Sequence, residues 1–183
     1  MKLSKIAIEG AYLIDLDIFR DERGFFLETY QLRRYVDSGL DVSFVQDNRS
    51  FSKKGVLRGL HYQIKRPIGH LIYVTHGSIF DVGVDLRKSS PTFGEHFSVT
   101  LAAEGNQQLF LPAGVAHGYC TLADENEILY KCTEFYDAAD EAGVVWSDPH
   151  IGIEWPIHDP VIKERDANLP LLKDIPPSRL PRV

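Results

Sequence analysis

A chain of 183 residues, 44% hydrophobic and 25% charged, has the composition of one compact globular domain with length enough for one core. Its 20 Lys and Arg against 26 Asp and Glu, a net charge of -6, argue against a surface for nucleic acid or anionic membrane, so an anionic ligand must be met by a few local cations. Cys120 and Cys132 sit in apolar runs, no leader-like apolar stretch opens the sequence, and no run approaches the ~20 residues of a membrane span, which together predict a reduced, cytoplasmic protein.

In chain order, runs of Val, Ile, Phe, Tyr and Leu recur between Gly, Pro, Asp and Asn. A strand is predicted over 24–29. "ETYQLRRYVDSGL" (28–40) predicts a short helix that Gly39 ends. Strands follow over 42–51 and 55–64. "HLIYVTHGSIFDVGVDL" (70–86) predicts two more, split by a hairpin-like bend at His76-Gly77. Further strands are predicted over 93–101, 107–112, 115–122 and 127–135, and a second short helix over 162–169 after Pro160. The tail from about 175, "IPPSRLPRV", carries three prolines and is expected to run extended over the surface. With no repeat, low-complexity tract or linker, residues 1–183 read as one all-β domain, a sandwich or barrel with a few short helices.

Two stretches carry chemistry. In "GVLRGLHYQ" (55–63), strict alternation would point Arg58 and His61 to opposite faces of a strand. They share a cavity only if the strand bulges between them, and Gly59 is the residue type that permits it. Otherwise His61 is a hydrogen-bonded core histidine and Arg58 a rim charge. "FLPAGVAHGYC" (110–120) holds a Pro-x-Gly-x-x-His turn that leads into a strand, matching the second short motif of cupins, small β-barrels that often hold a metal. Metal sites of that kind also need a His-x-His pair. Here His61 is followed two residues later by Gln63, and His70 and His76 lie too far along the chain to restore the spacing, so no metal is expected.

Six blocks in order, "DERGFFLETY" (21–30), "FVQDNRSFSKKGVLRGLHYQ" (44–63), "VGVDLRKSSPTFG" (83–94), "LPAGVAHGY" (111–119), "LYKCTEFY" (129–136) and "WSDPHIGIEWP" (146–156), resemble the dTDP-4-dehydrorhamnose 3,5-epimerase family. The resemblance implies a cupin-type jelly-roll β-barrel, no cofactor, an active site inside the barrel, and a homodimer whose N-terminal strands help to form the partner's site. It also implies a dTDP-sugar substrate, dTDP-4-dehydro-6-deoxy-D-glucose, epimerised to dTDP-4-dehydro-L-rhamnose. C3 and C5 of that sugar flank a C4 ketone, so a base can take either proton if the enolate oxygen is stabilised, and inversion needs an acid on the opposite face.

By the same resemblance, His61 is the base, Asp166 its carboxylate partner and Tyr130 the acid. Arg58 and Arg23 would grip the pyrophosphate as fork-shaped donors. Glu28, Gln46, Asn48, His117, Glu141 and Arg165 match substrate-binding positions, whereas Lys65, Lys53 and Arg49 match none and read as solvated. His70 stands where the family carries a lysine that polarises the C4 carbonyl, and is expected to donate to that oxygen through a ring N–H or as an imidazolium. This departure leaves open inversion at C3 alone, at C5 alone, or of another nucleotide-linked 4-keto sugar, and a 3,4-ketoisomerase using the same barrel and a histidine base is a separate alternative.

Overall fold

The computed structural model describes all 183 residues. Thirteen short strands and two short helices follow one another: β1 (Lys2–Lys5), β2 (Tyr12–Asp15), β3 (Ile18–Asp21), β4 (Gly24–Leu27), α1 (Leu32–Asp37), β5 (Gln46–Lys53), β6 (Leu57–Gln63), β7 (His70–His76), β8 (Ser78–Asp85), β9 (His96–Ala102), β10 (Gln107–Leu111), β11 (Val115–Thr121), β12 (Glu125–Cys132), β13 (Glu141–Gly143) and α2 (Glu164–Ala167). Two antiparallel sheets contain most of them, six strands in the order β1-β2-β10-β7-β12-β5 and five in the order β13-β6-β11-β8-β9. β3 and β4 form a separate hairpin. The all-β, jelly-roll expectation therefore holds in the form of two facing sheets that do not close into a continuous barrel. No helix is long and apolar enough to cross a membrane.

Alternation decides what lies between the sheets. Ile72 and Val74 of β7, Leu109 and Leu111 of β10 and Ile128 of β12 meet Ile79 of β8, Leu101 of β9, and Val115 and Tyr119 of β11 in one buried cluster. Fully burying each such aliphatic side chain contributes ~1.5–3 kcal/mol. His70 is two residues before Ile72, His117 two after Val115, and Tyr130 two after Ile128, so each points inward with the core residues of its strand. The interior is thus apolar at one end and polar at the other. Residues of opposite phase pack outward: Leu71 and Phe110 against Tyr35 of α1, and Val82, Val84 and Ala116 against Val144, Ile151, Ile175 and Leu180.

Several expectations need correction. The bend at His76-Gly77 is not a hairpin, because β7 and β8 belong to different sheets and the chain crosses between them there. Gly77 is required at the crossing, since its φ is +74° and a Cβ would lie 2.2 Å from the carbonyl oxygen of Glu125. The tail does not run extended over the surface. It turns in the 3-10 segment Pro177–Arg179, which follows another at Leu172–Asp174, and buries Ile175 and Leu180 beneath the five-stranded sheet. The first helix is six residues long, with the Gln31 side chain accepting from the Arg34 N–H. β1, β2, β3 and β13, of three or four residues each, lie outside the predicted strands.

Candidate active site

Between the sheets opens a cavity of about 390 Å³, walled by β6 and β11 on one side, by β5, β7 and β12 on the other, and closed by the segment 161–166. Arg58 and His61 both enter it. In the pairing of β6 with β11, His61 faces His117 and Arg58 faces Tyr119, so β6 carries one extra residue between the two matches. That bulge resets the alternation. Gly59 sits at its centre with φ +117°, where a Cβ would lie 2.5 Å from the Cα of Gly118, so only glycine fits the crossing.

His61 Nε2 lies 2.9 Å from Asp166 Oδ1, and Asp166 is buried within the short helix α2. Burial pushes the Asp166 carboxyl up, but its hydrogen bonds and attraction to His61 and Arg165 outweigh this and hold it below the usual range. It is a carboxylate. Arg165 donates from Nε to the same oxygen at 3.1 Å and from Nη1 to Glu141 Oε2 at 2.5 Å, while Glu141 Oε1 lies 3.9 Å from His61 Nδ1. The imidazole is therefore oriented by one carboxylate and overlooked by a second. With Nε2–H given to Asp166, its Nδ1 lone pair is the group left to accept a proton.

Tyr130 is on the facing sheet. Burial, followed by the neighbouring Cys132 and Tyr119, raises its hydroxyl pKa, so it keeps its proton at neutral pH. Its ring meets that of His70 edge-on at 5.7 Å, and His70 in turn lies 5.4 Å from the His117 ring. His70 Nδ1 is buried without a hydrogen-bond partner. Burial, with a smaller contribution from His117, pushes the His70 pKa down to about 3, which favours the neutral ring over the imidazolium at physiological pH. His117 Nε2 contacts both oxygens of the fully buried Asp81, at 2.9 and 3.1 Å.

Of the residues singled out in the sequence, His61, Asp166, Tyr130, His70, Arg58, Asn48, His117, Glu141 and Arg165 line this cavity. Three do not. Arg23 lies at the turn of the β3–β4 hairpin, its side chain 84% exposed and paired with Asp21. Glu28 pairs with Arg34 at 3.0 Å, and Gln46 braces the wall by donating to Asn48 Oδ1 at 3.0 Å and accepting from the Tyr136 N–H at 3.1 Å. Lys53, Lys65 and Arg49 are exposed. Sequence reading missed Asp81, Ser50, Ser52 and Tyr119. Asp81 gave a signal, an acid in phase with Ile79 and Gly83 on the inward face of an apolar strand. The Ser50 and Tyr119 hydroxyls meet at 2.9 Å, a contact set by strand pairing that has no linear signature.

The family model described as dTDP-4-dehydrorhamnose 3,5-epimerase matches residues 5–174. A dTDP-4-dehydrorhamnose 3,5-epimerase of Methanothermobacter thermautotrophicus is 46% identical over 175 residues, covering 94% of this chain and 95% of the relative. One from Pseudomonas aeruginosa is 47% identical over 168 residues, covering 91% and 93%. Among solved structures, the dTDP-6-deoxy-D-glucose-3,5-epimerase of Legionella pneumophila in complex with dTDP-4-keto-L-rhamnose superposes with a TM-score of 0.94 at 41% identity, covering 100% of this chain and 98% of that one.

Proposed function

The chain belongs to the dTDP-4-dehydrorhamnose 3,5-epimerase family and is a sugar-nucleotide epimerase, and we propose that it inverts its dTDP-4-keto-6-deoxy hexose between His61 on one wall and Tyr130 on the other. One observation carries this reading: a carboxylate-oriented imidazole and a half-buried, protonated phenol project into one cavity from opposing sheets. His61 Nδ1 takes the proton from C3 or C5, each acidified by the C4 ketone. Asp166 holds the tautomer and stabilises the imidazolium that results. Electron density moves onto the C4 oxygen, where the neutral His70 ring donates an N–H. Tyr130 then delivers a proton to the face opposite the base, and the centre is inverted.

Arg58 meets the diphosphate. Arg23 does not line the cavity of its own chain, and its hairpin exposes Phe19, Phe25 and Phe26 at 60%, 63% and 68%. These features favour a homodimer in which the hairpin of a second copy reaches the cavity and brings Arg23 to the nucleotide. Residues 1–183 then act as one epimerase domain with no metal or cofactor, and the two free, buried cysteines suit a reducing cytoplasm.

The test is turnover of dTDP-4-dehydro-6-deoxy-D-glucose in D2O, followed by NMR. Deuterium entering C3 and C5 with inversion at both is the expected result. Conversion to a 3-keto sugar would overturn the epimerase reading, and label confined to one carbon would restrict it to that centre.

A further inference from the structure

Arg58 differs from the other arginines that hold a structural partner. Arg23, Arg34, Arg49, Arg66, Arg87 and Arg165 each pair with a carboxylate. Arg58 has none. Its Nε and Nη2 instead donate to one neutral acceptor, Ser52 Oγ, at 3.2 and 3.1 Å. Ser52 is only 5% exposed and is itself fixed: it faces Asn126 across the β5–β12 pair, and the fully buried Asn126 donates to the Ser52 carbonyl at 3.3 Å and to that of Ala123 at 2.7 Å.

We infer that Ser52 is a positioning residue for substrate binding, holding the Arg58 guanidinium in the cavity without cancelling its charge. A carboxylate in that place would fix the side chain equally well but neutralise it, and an incoming diphosphate would have to displace the pair. A hydroxyl engages two of the five guanidinium N–H donors and leaves three, with the full charge, for phosphate oxygens. It also restrains a long, rotamer-rich side chain before substrate arrives, so less freedom is lost on binding. The inference rests on the reading of Arg58 as the diphosphate contact.

Calorimetric titration with dTDP, together with steady-state kinetics on the sugar nucleotide, tests it. Ser52→Ala should weaken dTDP by up to ~10-fold and raise KM in step, the cost of ordering one free, rotamer-rich side chain on binding, while kcat stays near the parent value. Ser52→Thr, which keeps the hydroxyl, should recover most of the affinity. Arg58→Ala should weaken dTDP further, and adding Ser52→Ala to it should cost nothing more, because nothing is left to position. If Arg58→Ala weakens dTDP but Ser52→Ala leaves it unchanged, or lowers kcat instead, Ser52 does not position Arg58. If Arg58→Ala itself leaves dTDP affinity and KM untouched, the diphosphate contact lies elsewhere and the reading of Arg58 fails first.

Discussion

On the five-stranded wall of the cavity both histidines lean on a buried carboxylate, His61 on Asp166 and His117 on Asp81. On the six-stranded wall His70 and Tyr130 have no carboxylate, and burial dominates the shift of each. The first wall is built to take up positive charge. The second keeps a phenol protonated and an imidazole neutral, so it can give a proton or donate a hydrogen bond but is poorly suited to store a charge. On the proposed mechanism the two walls divide abstraction from delivery, and variants on either side should fail in different ways.

The largest effect belongs to His61. His61→Asn removes the only base that Asp166 orients, and should cut exchange of C–H for solvent deuterium by ~10⁴, the upper end of what general-base catalysis supplies. Exchange within tenfold of the parent would erase the distinction between the walls. Tyr130→Phe should act on the other step, lowering net inversion by ~10² while exchange suffers less, because His61 can return a proton to the face it came from. Equal loss of inversion and exchange would show that Tyr130 helps to position substrate and does not deliver the proton.

His70→Ala should cost ~10² in kcat, the effect of removing one donor to a developing oxyanion. The same variant has a stability signature. The folded-state pKa of His70 lies at about 3 and the ordinary value is 6.5, so between these pH values the unfolded chain binds a proton that the folded chain refuses. The parent should lose stability as pH falls through that window. His70→Ala removes this contribution, so its melting temperature should fall less steeply between pH 6.5 and pH 4. Parallel curves for parent and variant would mean that His70 is solvated and not neutral by burial.

How far the sequence could foretell these walls depends on what fixed each residue's place. His61, Tyr130 and His117 sit in strands whose blocks are recognisable, and the inward direction of His70, Tyr130 and His117 follows from the phase of Ile72, Ile128 and Val115. Simple alternation misplaces Arg58, because the β6 bulge at Gly59 adds a residue that no periodicity announces. Asp166 was nameable from its block, yet its contact with His61 comes from how the C-terminal segment packs. Ser52 was illegible for a related reason: a serine six residues before an arginine has no meaning until the turn between β5 and β6 folds one strand back toward the other. Arg23 shows the converse, a residue recognised in the sequence whose site lies outside the cavity of its own chain.

His61 and Asp166 stand 105 residues apart in sequence. Asp166 reaches His61 because Val161 bridges to Val56 on one side and the Val145 N–H bonds to the Pro170 carbonyl at 2.9 Å on the other. During synthesis His61 is made 105 residues before Asp166, so its imidazole has no carboxylate to orient it until the segment that carries Asp166 follows. On the proposed mechanism, competence for proton abstraction waits on the packing of that later segment and not on the strand that carries the base.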